Sequence, residues 1–220
     1  AHDFRTPLTR IRGAAELALN EKNVPEEVAD TLADIIEDCD RAKLQLQNLM
    51  DARGMESCFV KLNLQPFSLT QLIAEIIDLY TLVAEEKRIL LAAEFPAGEI
   101  LLEGDGQRLA RALANLVDNA LKYTQKAGRV TITFDLDPET VVVRVMDTGI
   151  GIPEDEQGLV WQRLFRGKQA REAEKGLGLG LNIVQVIISA HGGSVTLRSA
   201  PGQGSTFCVT LPRKARPVQA

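Results

Sequence analysis

Seven apolar residues, Val28, Leu32, Ile35, Cys39, Ala42, Leu46 and Leu49, follow one another at alternating steps of four and three. That spacing is a heptad seam, and it commits the segment to a long helix that hides one narrow stripe. The acids of Pro25-Glu26-Glu27 suit the positive end of such a helix. Upstream, Phe4, Leu8, Ile11, Ala15 and Ala18 repeat the pattern on a first helix, and Asn20-Glu21-Lys22-Asn23 reads as the turn between the two. Two helices cannot enclose a core of their own. The pattern therefore predicts an antiparallel helical hairpin over residues 1–56 that becomes a four-helix bundle in a homodimer. Packing of the hairpin against the rest of the chain is the alternative.

After Gly54 the periodicity changes. "FVKLNLQPF" alternates like a strand, and Ser68 with Gln71 forms a capping-box signal for a helix through Glu86. "ILLAAEF" and "ILLEG" read as short strands, and residues 106–123 as an amphipathic helix. "GRVTITFDL" and "TVVVRVMD" make a strand pair, followed by a Gly-rich charged loop and a helix over 178–191. "GGSVTLRS" and "GSTFCVTL" close the region as two strands about the turn "APGQG". The expected fold class is α+β, with layered helices on a mixed sheet over residues 60–213 and a tail over 214–220. A 220-residue chain with 45% hydrophobic and 25% charged residues can bury such a core. The net charge of -5 argues against a nucleic-acid partner. Cys39, Cys58 and Cys208 are too scattered for a metal site and fit a reducing compartment. No apolar run reaches the roughly 20 residues of a membrane span. The lack of an initiator Met leads to the expectation of an upstream region, with any membrane anchor lying there.

Three stretches carry chemistry. In "ALANLVDNALKYT", Asn115, Asn119 and Lys122 fall at steps of four and three on one helix face. Two carboxamides and an ammonium match a magnesium-bound polyphosphate, and they equally suit a solvated polar face. In "DTGIGIP", Asp147 ends a strand, where a buried carboxylate can read an exocyclic amine such as adenine N6. Gly149 and Gly151 there let backbone approach a flat ligand. In "GLGLGL", Gly176, Leu177, Gly178, Leu179 and Gly180 lead into a helix whose first amides can face phosphate. The intervening "RLFRGKQAREAEKG" has the composition of a mobile lid, from which Arg166 or Lys168 could reach the terminal phosphate; ordinary surface charges are the alternative.

In order and spacing, "NLVDNALKYT", "DTGIGIP", "LVWQRLFRG" and "GLGLGL" resemble the four ATP-binding boxes of sensor histidine kinases, and "HDFRTPL" resembles their phosphoacceptor box. The resemblance spans nearly the whole chain. It implies a dimerisation and phosphotransfer hairpin followed by an ATP-binding α/β sandwich of the gyrase, kinase and mismatch-repair type. By position it implies that Asn119 ligates magnesium, and that Asn115, Lys122 and Tyr123 line the nucleotide. It makes Asp147 the adenine-reading acid and lets Gly149, Gly151, Gly176, Gly178 and Gly180 frame the lid. Phe165 corresponds to the aromatic of the phenylalanine box, and His191 in "SAHGG" to a structural turn.

The ATPases that share the fold activate water with a glutamate where this chain has Asn115, and a carboxamide cannot accept that proton. The phosphate acceptor is then expected to be His2, whose Nδ1 proton Asp3 can accept so that Nε2 attacks. His2, Thr6, Thr9 and Gly13 share the outer stripe of the first helix, and Pro7 favours a bend beside the histidine. The resemblance also implies that Thr6 positions a water for dephosphorylating a response regulator receiver domain. The expected protein is thus a histidine kinase using ATP and Mg2+, the cytoplasmic portion of an inner-membrane sensor. A nucleotide-binding scaffold without turnover, and an ATPase or protein serine kinase, are the alternatives.

Overall fold

The computed structural model describes residues 2–19, positions 25, 28, 31–32, 35–36 and 39, residues 62–167 and residues 178–214; the side chains of residues 2–6 and 9 lie outside that description. The chain divides into two compact units, Ala1–Ser57 and Cys58–Ala220.

In the first unit, helix α1 spans His2–Leu19 and runs through Pro7 without interruption. A proline this near the start removes one intrahelical bond but does not end the helix. Arg12 and Glu16 pair across one turn at 2.9 Å. Ala15 is buried and Leu8 half-buried, whereas Ile11 is 51% and Leu17 74% exposed. Of the heptad seam, Val28, Leu32, Ile35 and Cys39 are helical; Cys39 is buried, Val28 and Ile35 are exposed. Ala42, Leu46, Leu49 and the Asn20–Asn23 turn lie outside the described residues.

The second unit runs β1 (Gln65–Ser68), α2 (Leu69–Lys87), β2 (Leu90–Ala93), β3 (Leu101–Gly104), α3 (Gly106–Tyr123), β4 (Arg129–Leu136), β5 (Thr140–Asp147), the single turn α4 (Glu154–Gln157), α5 (Gly180–Ala190), β6 (Ser194–Ser199) and β7 (Ser205–Pro212). Strands β1 and β3 form an antiparallel pair. The main sheet has the order β2-β4-β5-β7-β6, parallel only between β2 and β4, so it is mixed as expected. Alternation on β4, β5 and β7 buries Val130, Ile132, Val141, Val143, Val145, Phe207, Val209 and Leu211. Their interleaved neighbours, Thr133, Arg144 and Cys208 among them, are only half-buried. This one-sided pattern is what a sheet with a single packed face produces. Leu109, Leu113, Leu116 and Val117 of α3 are buried, as are Ile183, Val184 and Ile187 of α5. The two helices pack on each other and on the sheet.

Two local expectations are corrected. Of the strand predicted over "FVKLNLQPF", residues 59–61 lie outside the described residues, 62–64 are not strand, and the strand runs over Gln65–Ser68. The amide of Asn63 bonds the Asp105 carboxylate at 3.1 Å and joins no ladder. Pro66 has no amide to offer, which suits an edge position. The capping box is one-sided: Ser68 Oγ accepts from the Gln71 amide at 3.2 Å, but the Gln71 side chain turns forward to Glu75 at 3.0 Å.

Candidate functional site

Helix α3 carries the first part of the site. Its apolar face is buried, and Asn115 and Asn119, one turn apart, are half-buried beside it. They converge on the start of α5. A Cβ built on Gly180 would lie 3.6 Å from Asn115 Oδ1 and 3.7 Å from Asn119 Nδ2. Leu179, at the N-cap position of α5, is buried and supplies no side-chain cap. The first-turn amides of α5 therefore stand beside two carboxamides, with the partial positive charge that a helix start carries. The cradle holds amide oxygens and amide donors together, the donor set that a magnesium polyphosphate requires.

Lys122 is engaged elsewhere: its ammonium bonds Asp118 at 2.6 Å, both side chains about one-third exposed (33% and 35%). Tyr80 of α2 senses the same carboxylate, and burial, with Asp118 second, pushes its phenol up to about 12. Tyr123 closes α3, and its carbonyl accepts the Ile150 amide at 3.1 Å. That bond ties the loop after β5 to the helix that bears the asparagines.

Asp147 sits at the end of β5. Its Oδ1 accepts the amides of Gly149 at 2.8 Å and Ser205 at 3.2 Å. Among the described residues Oδ2 takes no protein donor. Burial pushes the carboxyl above its ordinary range, and the two amides offset this only in part. A desolvated carboxylate with one fixed and one spare oxygen is a directional acceptor. The loop beyond is braced by the β6–β7 hairpin: Ile152 donates to Ser199 Oγ at 2.8 Å and Gly202 to the Ile150 carbonyl at 2.8 Å. Gly151 has φ +70, and a Cβ there would run into the Ala200 carbonyl. Only glycine fits that position without strain.

The third part follows α4. Trp161 packs edge-on against Phe207 with ring centroids 6.0 Å apart, and its carbonyl accepts from Asn182 of α5 at 3.0 Å. Leu164 adopts φ +61 with its side chain 62% exposed, and its amide bonds the Gly178 carbonyl at 3.0 Å. Gly178 has φ +66 and faces the Phe165 carbonyl so closely that a Cβ would not fit. Phe165 and Arg166 are half-buried. Gly176, Leu177 and Lys168 lie outside the described residues.

Sequence reasoning missed Trp161 as the ring that anchors this segment to the sheet, although it is the only tryptophan. It also missed Asn182, whose spacing carries no signal. His2, Asp3 and Thr6 lie on the first two turns of α1, and their side chains are outside the description.

Residues 104–215 match the family described as histidine kinase-, DNA gyrase B- and HSP90-like ATPase. The chain belongs to that family. Residues 1–57 match the His Kinase A (phospho-acceptor) domain, and together the two matches make this a histidine kinase core. The sensor histidine kinase RppB of Synechocystis is 31% identical over 220 residues, covering 99% of this chain and 48% of that protein. The adaptive-response sensory kinase SasA of Thermosynechococcus vestitus is 35% identical, covering 96% of this chain and 58% of its own length. The chain thus spans about half the length of such relatives. Full-length ShkA, solved with AMPPNP, superposes with a TM-score of 0.82 at 27% identity over 99% of this chain and 45% of its own. The histidine kinase ThkA, solved with the response regulator TrrA, superposes with a TM-score of 0.66 at 25% identity, covering 97% and 59%. Among the described residues, no helix is long and apolar enough to cross a membrane.

Proposed function

We propose that this chain is an ATP-dependent protein-histidine kinase that phosphorylates His2 and passes the phosphoryl group to an aspartate of a response regulator. Residues 1–56 form the dimerisation and phosphotransfer hairpin, and residues 60–213 bind ATP. The observation that carries this reading is the convergence of Asn115 and Asn119 on the uncapped start of α5, within a fold that also seats a half-satisfied Asp147. The spare oxygen of Asp147 accepts the adenine amine. The α5 amides hold phosphate oxygens, and Arg166 approaches the terminal phosphate from the lid. Lys122 exchanges Asp118 for phosphate, a small change for a pair this exposed. Asn119, with Asn115 beside it, would hold Mg2+, which supplies charge neutralisation at the phosphates when bound.

In the transfer, His2 Nε2 bonds to the γ-phosphorus as the bond to the β-bridging oxygen breaks and ADP leaves. Asp3 holds the Nδ1 proton, so the neutral ring presents a lone pair. The site offers no carboxylate where an ATPase would need one to activate water, because Asn115 occupies that position. The exposed Ile11, Val28 and Ile35 support a homodimer through the hairpin, which would cover them.

Incubation with γ-labelled ATP tests the reading. Acid-labile, alkali-stable label that disappears in His2→Gln is the expected result. Released phosphate without labelled protein would indicate an ATPase, and absence of turnover a scaffold. Thr6→Ala is expected to abolish dephosphorylation of the regulator and spare autophosphorylation. Loss of both activities would remove Thr6 from that role.

A further inference from the structure

His191 follows α5 and is buried, 2% exposed, with both ring nitrogens engaged. Nδ1 lies 2.8 Å from the Ile187 carbonyl, one turn back on α5. Nε2 accepts the backbone amide of Asp105 at 3.0 Å. A carbonyl can only accept and a backbone amide can only donate, so the pair of bonds fixes one state: the neutral ring with its proton on Nδ1. Asp105 is in turn the N-cap of α3, accepting from the Arg108 amide at 3.1 Å. Its second oxygen takes the Asn63 amide at 3.1 Å and the Arg108 guanidinium at 3.2 Å.

Helices α3 and α5 run antiparallel. The start of α3 meets the end of α5 at this ring, and the far half of α3 meets the start of α5 at Asn115, Asn119 and Gly180. We infer that His191 is a positioning residue for the nucleotide site: its neutral ring clamps the distal ends of α3 and α5 and so fixes how their other ends meet. The inference rests on the ATP-binding reading above. No other tautomer serves, because a proton on Nε2 would point at the Asp105 N–H and break the clamp. The charged groups that face the ring are the Asp105 carboxylate and the Arg108 guanidinium, both at the β3–α3 junction. They act in opposite directions, and α5 offers only the Ile187 carbonyl. Burial is the largest influence and holds the imidazolium below its ordinary range. The clamp is therefore intact at neutral pH and released in acid.

The full chain labelled with 15N-histidine tests this, with His2→Gln assigning the two rings. The expected spectrum at about pH 7.5 shows His191 neutral with Nδ1 protonated. Titration calorimetry with AMPPNP is expected to show His191→Leu, which orphans the Asp105 amide, binding about fivefold or more weakly. His191→Gln keeps an acceptor for that amide and cannot be protonated. It is expected to bind within about twofold of the native chain at neutral pH and to escape the added loss of affinity expected of the native chain as pH falls below the ordinary imidazole value of 6.5. An Nε2–H tautomer, native affinity in a folded His191→Leu, or identical pH profiles for the native chain and His191→Gln would each overturn the inference. If His191→Leu does not fold, the tautomer and the Gln comparison decide. A native chain that binds no nucleotide at neutral pH defeats the ATP reading and the clamp together. Native binding matched by a folded His191→Leu defeats the clamp alone.

Discussion

Asp147, half-buried, and His191, buried, are ionisable groups that both hold backbone amides, yet they are partnered differently. His191 uses both nitrogens within the fold. Asp147 uses one oxygen and leaves the other without a protein donor among the described residues. Burial disfavours the charged form of each, raising the aspartate and lowering the histidine. A buried polar group that is fully satisfied stabilises the fold; one with a spare lone pair stabilises a ligand at the expense of the unliganded protein.

The strongest way to break the Asp147 corner is through its backbone. Gly151→Ala places a methyl group on the Ala200 carbonyl at φ +70 and is expected to lower unfolding stability by about 3 kcal/mol, read by denaturant melts. An unchanged midpoint would mean that the loop is not held as described. Asp147→Asn is expected to weaken AMPPNP binding about ten- to a hundredfold, through loss of a charged acceptor. The same variant is expected to leave the unliganded chain as stable or slightly more so at neutral pH. A loss of stability instead would make Asp147 framework.

The two groups also carry opposite pH signatures. The folded state holds His191 below its ordinary value of 6.5, so the unfolded chain binds more protons as pH falls through that value. Stability contributed by the neutral ring is present above it and declines toward acid. The folded state holds Asp147 above its ordinary 3.8, so its contribution is present below that value and is lost as pH rises through the window. Melts of the native chain, Asp147→Asn and His191→Gln across that range are expected to diverge in these two directions; parallel curves would show that neither group is coupled to folding. The smallest effect is expected from Asp118→Asn. Its ion pair with Lys122 is about one-third exposed at each end (35% and 33%), and stability should change by no more than about 0.5 kcal/mol, measured by thermal melt.

Much of the second unit was legible because its elements are local. The strand pair Arg129–Leu136 and Thr140–Asp147 and the helix Gly106–Tyr123 coincide with patterns written in period two and period 3.6. The strand before α2 was misjudged because alternation in "FVKLNLQPF" cannot reveal that the Asn63 amide is claimed by Asp105, 42 residues away. The spacing of Asn115 and Asn119 predicted a shared helix face, and the structure sets both beside Gly180. Trp161 and Asn182 were not legible, since their roles depend on Phe207 and on each other across the fold.

The sequence by itself determined the heptad pattern of the first unit, the order of the strands along the chain and the residue types on the Asn115 and Asn119 face of α3. It did so because periodicity, caps and glycine act over a few neighbouring residues. Only the tertiary structure decided which oxygen of Asp147 is spare, that Lys122 is held by Asp118, and that His191 joins the far ends of two helices. Those facts follow from hydrogen-bond partners distant in sequence, and a lone pair is committed only once the fold has brought its donor within about 3 Å.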